Sequence, residues 1–113
     1  MKKIEAFIKE EKVEEVTRAL RPIEGLTGMT VLRGEGFGRR HEGSELAPTP
    51  EMIHDFRQVA RVEVFCMDAL AETVVAAIEK AAHTGLRHDG KIYVLPVEQA
   101  VRVSSGERGE GAI

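Results

Sequence analysis

Residues 84–94 read Thr-Gly-Leu-Arg-His-Asp-Gly-Lys-Ile-Tyr-Val, the stretch of this chain whose residue types and spacing best suit chemistry. A flexible turn, an acid, a glycine and a lysine run directly into a β-branched and aromatic strand. Such a loop can wrap phosphate oxygens from a rigid platform, which points to a nucleotide as ligand. The plainer alternative is a hairpin or crossover turn, in which Asp89-Gly90 supplies only backbone geometry and Lys91 is merely solvated. Short Gly/Lys motifs recur by accident, so the loop needs support from other segments.

Other candidate chemistry is thinner. The neighbouring acids Glu14 and Glu15 belong to the polar face of a helix, and Ser44, Ser104 and Ser105 have no base beside them in an ordered element. The chain therefore reads as a non-enzyme; slow nucleotide hydrolysis helped by Lys91 and Arg102 would be incidental. His41, Glu42, His54, His88 and Cys66 are ligand types, yet no C-x-x-C or H-x-x-x-H occurs. A metal-responsive regulator is the alternative function, with no metal ligands assigned. Cys66 alternates with core positions and reads as a small buried hydrophobe.

The chain has 113 residues, enough for one domain (1–113), and 42% apolar with 31% charged residues suits a soluble globular protein. A net charge of −3, no basic block and only five aromatic residues argue against nucleic acid as a partner. No apolar run approaches the roughly 18 residues of a membrane span, and the first residues lack a signal-peptide core, so a cytoplasmic protein without membrane insertion is expected. One cysteine allows no internal disulfide.

The elements that must position the loop follow from periodicity. Residues 2–8 alternate, with Ile4, Ala6 and Ile8 on one face, as a half-buried strand does. Val13, Val16 and Leu20 recur at helical spacing until Pro22 and Gly25 end the helix. Residues 29–33 are extended again, and Gly34, Gly36 and Gly38 let that strand bend or approach a ligand closely. From Arg39 to about Gln58 no apolar repeat appears, and a run that long points to function or to disorder. Ala60, Val62, Val64 and Cys66 mark a further alternating strand. Asp68 is expected to cap a second helix with the stripe Leu70, Val74, Ala77, Ile78 and Ala81. Strand 91–95 and a short extended piece, residues 101–103, complete the chain. The order βαββαβ implies an α+β, ferredoxin-like fold, a four-stranded antiparallel sheet with both helices on one face. Phe7, Phe65 and Tyr93 fall near the uncovered face, so copies of the chain are expected to pack their sheets together.

Five ordered blocks carry a specific likeness: Met1-Lys2-Lys3-Ile4-Glu5-Ala6, Leu26-Thr27-Gly28-Met29-Thr30-Val31, Gly36-Phe37-Gly38-Arg39, Asp89-Gly90-Lys91-Ile92 and Ser105-Gly106-Glu107-Arg108-Gly109-Glu110. With them the chain resembles the PII signal-transduction proteins from end to end, with about one inserted residue between Pro22 and Gly25. The resemblance implies a homotrimer whose inter-subunit clefts bind ATP or ADP; no obligatory cofactor is expected. It also implies a T-loop (about 39–58) that engages a membrane transporter or metabolic enzyme, a phosphate-wrapping B-loop (about 84–91) and a C-terminal loop (about 102–113). Carried over by position, Thr27, Gly28, Met29, Thr30 and Gly36 would line the adenine and ribose pocket with Phe65 beside them. Gly38 and Arg39 would open the T-loop, Asp89, Gly90 and Lys91 would wrap phosphates, and Arg102 would reach in from the next subunit. For Arg102 a plain surface ion pair is the alternative on spacing alone.

Departures from the family pattern are equally specific. Arg40 stands where the family has the glutamine that chelates magnesium with ATP and 2-oxoglutarate, and Val59 where it has the lysine for the 2-oxoglutarate carboxylate. Ordinary 2-oxoglutarate sensing is therefore not expected. Met52 and Pro50 replace the modified T-loop tyrosine and serine, Pro48 the channel-plugging arginine, and Ser104 a second phosphate arginine. His88 replaces a phosphate-loop glycine, and Arg87 beside it could restore the missing charge. The pattern suggests a divergent member that prefers ADP or AMP.

Overall fold

The computed structural model describes residues 1–38 and 56–113. Strand β1 (Lys2–Ile8) leads through a 3-10 turn (Glu10–Lys12) into helix α1 (Val13–Leu20), then β2 (Thr30–Gly36), β3 (Arg57–Cys66), a 3-10 turn (Asp68–Leu70), helix α2 (Ala71–Ala82) and β4 (Gly90–Pro96). The sheet order is β2-β3-β1-β4, every neighbouring pair antiparallel, which is the ferredoxin-like arrangement.

Alternation along the strands decides what the helices cover. Ile4 lies between Val64 and Val94, and Ala6 between Val62 and Ile92, so the small and β-branched residues of three strands share one face. Ile4, Ala6, Ile8, Ala60, Val62, Val64 and Cys66 are buried there under Val16 and Leu20 of α1 and Val74, Ile78 and Ala82 of α2. Each fully buried Ile or Leu contributes roughly 1.5–3 kcal/mol, so this layer holds the fold. The opposite face carries Lys3, Glu5, Phe7, Arg61, Glu63, Phe65 and Tyr93. No helix lies on it among the described residues, and Phe65 (42%) and Tyr93 (49%) are half exposed. Phe7 and Tyr93 meet edge to face at 6.1 Å, and Lys3 pairs with Glu5 (2.9 Å) and Glu63 (3.5 Å).

Four expectations need correction. Strand β2 continues through Gly34 to Gly36, because ladder bonds are main-chain bonds and glycine can make them. Strand β3 begins at Arg57, so residues 57 and 58 of the expected loop are strand, and residues 39–55 lie outside the described residues. Here the alternation was invisible because Arg57 and Gln58 are exposed and bury neither face. Asp68 does not cap α2. Its helix starts from the 3-10 turn without a side-chain cap, and the Asp68 carboxylate accepts from the Met1 nitrogen at 2.8 Å instead. Residues 101–103 make no strand: Val101 forms a single bridge to Arg108, and the chain turns back through hydrogen bonds from Arg102 N to Glu107 O and from Gly106 N to Arg102 O, both 2.8 Å.

Candidate functional site

The phosphate-loop motif sits where α2 hands over to β4. Helix α2 ends at His83, whose backbone turns extended, and β4 begins at Gly90 opposite Ile8. Between them the loop is tied by one carboxylate. Asp89 accepts from the main-chain N–H groups of Thr84 (2.9 Å) and Gly85 (3.0 Å) and from the Thr84 hydroxyl. The Thr84 hydroxyl, and then these amides, hold the Asp89 carboxyl well below the usual carboxylate range. Asp89 is thus turned into its own loop and shapes it. A carboxylate so engaged supplies geometry to a phosphate site and no attraction.

Gly90 has no possible substitute in this geometry. Its φ is +109°, and a Cβ there would stand 1.7 Å from the Phe7 carbonyl oxygen. His88 also takes a left-handed backbone, φ 68°, at the position where the PII pattern has glycine. Arg87 and Lys91 are exposed, and their cationic groups have no hydrogen-bond or ion-pair partner among the described residues. Two uncommitted cations beside a pre-shaped loop are what an anion needs.

The other sequence-derived residues gather elsewhere. Thr27, Gly28, Met29, Thr30 and Phe65 line a cleft of ≈ 470 Å³, together with Met1, Glu63, Val97, Gln99, Ala100, Val101, Ala112 and Ile113. Arg102 belongs to this end of the molecule. Its guanidinium donates to the Ile113 carbonyl (3.3 Å) and lies 3.7 Å from Glu107. The cleft wall contributed by residues 97–101 and 112–113 was not legible in the sequence, because no periodicity marks a segment that folds back through isolated turns.

Register separates the two groups. Phe65 pairs with Lys3 at one end of β1, and Gly90 pairs with Ile8 at the other. Five residues of strand put them about 17 Å apart. Gly36 pairs with Arg57, beyond the Ile8 end, so it sorts with the phosphate loop and not with Thr27–Thr30 as expected. Gly38 follows it, and Arg39 lies outside the described residues. Phe37, a member of the Gly36-Phe37-Gly38-Arg39 block, and Phe56, which no sequence pattern marked, meet edge to face at 5.5 Å and join the two chain segments that flank residues 39–55. Among the described residues no group of three or more His, Cys, Asp or Glu stands together as a metal site; His41, Glu42 and His54 lie outside them. Burial pushes the Cys66 thiol up, which keeps it protonated. No helix among the described residues is long and apolar enough to cross a membrane.

The chain is thus a ferredoxin-like sheet with one bare face and a phosphate-type loop at its end. Comparison with known proteins gives the family. The model of the family "Nitrogen regulatory protein P-II" matches residues 1–107. The nitrogen regulatory proteins P-II of Azospirillum brasilense and Rhodospirillum rubrum are each 47% identical over 113 residues, covering all of both chains. Among solved structures, Arabidopsis thaliana PII bound to citrate superposes with a TM-score of 0.80 at 35% identity, over 99% of this chain and 91% of that one. The chain belongs to the nitrogen regulatory P-II family, and it is a signalling protein of that kind.

Proposed function

We propose that this protein binds an adenine nucleotide in clefts between subunits of a homotrimer and reports occupancy to a partner transporter or enzyme through residues 39–56. The carrying observation is the division of the site. Arg87, Gly90, Lys91, Gly36 and Gly38 stand at one end of the sheet, while Thr27–Thr30, Phe65 and Arg102 stand at the other. A mononucleotide enclosed by both groups has to take one from each of two copies. The uncovered sheet face with Phe7, Phe65 and Tyr93 supports such packing, because its apolar area is left in water in a single chain. That the Arabidopsis relative binds citrate, a polyanion, supports an anionic ligand here.

The signal would pass through Gly36 and Gly38, which join the phosphate-loop end to the segment that follows. A ligand biases that segment only by its differential affinity for two arrangements. With Arg40 and Val59 in place of the magnesium and 2-oxoglutarate ligands of the family pattern, binding is expected to favour ADP or AMP and to lack 2-oxoglutarate synergy. Calorimetry with ATP, ADP and AMP, with and without magnesium and 2-oxoglutarate, tests the ligand, and sedimentation tests the trimer. Strong synergy between ATP and 2-oxoglutarate overturns the preference; a monomer overturns the shared cleft.

A further inference from the structure

We infer that Lys9 is a positioning residue for the phosphate loop, holding it in shape from β1 and cancelling the charge of Asp89; this deepens the nucleotide-cleft reading above and rests on it. Lys9 is the first residue past β1, with an extended backbone (φ −62°, ψ 137°) and a side chain only 16% exposed. Its ammonium donates to the Thr84 hydroxyl at 3.1 Å and lies 3.3 Å from Asp89 Oδ1, across 75 and 80 residues of sequence respectively.

Thr84 is the hub of that contact. Its hydroxyl has one hydrogen, which goes to Asp89, and it accepts from Lys9 Nζ and from the Leu86 N–H at 3.0 Å. The hydroxyl is then fully used, as one donor and two acceptors. The second oxygen of Asp89 takes the Thr84 and Gly85 amides. Together these bonds fasten the first three residues of the loop to its last acid, and Lys9 fastens both to the sheet. The loop needs such fastening, since His88 and Gly90 both hold left-handed backbone within three residues. A conformation of that kind persists only where its surroundings over-determine it.

Charge gives Lys9 its second task. An ionised Asp89 next to phosphates repels them unless a cation stands against it, and Arg87 and Lys91 have no bond to it. Lys9 does, and so leaves those two cations for the ligand. His83 Nδ1 also approaches Asp89, at 3.5 Å, but His83 is 71% exposed and carries charge only when protonated.

The test uses the full chain with three substitutions, Lys9→Met, Lys9→Arg and Asp89→Asn. Amide exchange without ligand is expected to speed at Thr84, Gly85 and Leu86 in K9M and to return toward wild type in K9R. Calorimetry is expected to show K9M binding ADP about tenfold more weakly, AMP by a smaller factor and adenosine unchanged. In D89N a negative charge beside the phosphates is removed, yet ADP binding is expected to weaken. Tighter ADP binding by D89N means that the groups act through their field alone and overturns the positioning role. If the wild-type protein binds none of these compounds, the nucleotide reading falls, and exchange decides the inference by itself: unchanged loop protection in K9M overturns it, and faster exchange supports the fastening.

Discussion

The two ends of the sheet solve different problems. At the Ile8 end, polar groups are spent on one another: Asp89, Thr84 and Lys9 close a knot, while the cations of Arg87 and Lys91 have no partner among the described residues. At the Lys3 end, a cleft of ≈ 470 Å³ is lined by Thr27–Thr30, Phe65, Glu63, Gln99 and small or aliphatic residues, with Arg102 at its margin held by Glu107 and the Ile113 carbonyl. One end offers charge on a rigid frame, and the other offers shape. The difference teaches how one short chain can recognise a two-part ligand. In the proposed trimer each end would supply one half, and assembly would bring unlike ends together.

Breaking the charged end should have the largest effect. Gly90→Ala places a methyl carbon into the Phe7 carbonyl and loads a left-handed backbone, so a loss of about 3 kcal/mol or more in folding stability is expected by thermal or denaturant melting. Next comes Lys91→Ala, which removes an unpartnered cation and leaves the fold alone. Its nucleotide affinity is expected to fall by roughly 10- to 100-fold, as for a lost charge-assisted bond, with melting unchanged. Unchanged affinity would remove Lys91 from the site.

The shape end sharpens the comparison. Phe65→Ala is expected to weaken adenosine, AMP and ADP alike, by about tenfold, whereas the Lys91 effect should grow with phosphate number. Equal dependence on phosphate number in both variants would erase the distinction between the two ends. The smallest effect concerns pH. Because the folded-state pKa of Asp89 is depressed, its contribution is fully present above the ordinary carboxylate value of about 3.9 and is lost only as pH falls through the lower folded value. Protection factors of the Thr84 and Gly85 amides are therefore expected to be the same at pH 5 as at pH 7 in a His83→Ala variant, which removes the imidazole 3.5 Å from Asp89.

Much of the fold was legible because burial writes a period into the chain. Ile4, Ala6 and Ile8, and Ala60, Val62, Val64 and Cys66, alternate because one face of each strand is covered, and Val74 and Ile78 recur because one stripe of α2 is. Where nothing is buried the period vanishes, which hid the start of β3 at Arg57 and the glycine-bearing end of β2. Asp68 looked like a cap by type and position, but a side chain bonds to what lies nearest in space, and that is the Met1 nitrogen.

Residue identity alone determined the covered face, the loop with Gly90 and Lys91, and the family likeness, since each is carried by local spacing. The split of the candidate site was decided only by tertiary structure. Antiparallel register sets Phe65 against Lys3 and Gly90 against Ile8, and no local pattern encodes that distance. The same holds for Lys9, whose partners Thr84 and Asp89 are distant in sequence and are brought to it by the pairing of β1 with β4. A hydrogen bond depends on proximity in space, and strand pairing creates that proximity between residues whose own neighbours say nothing of it.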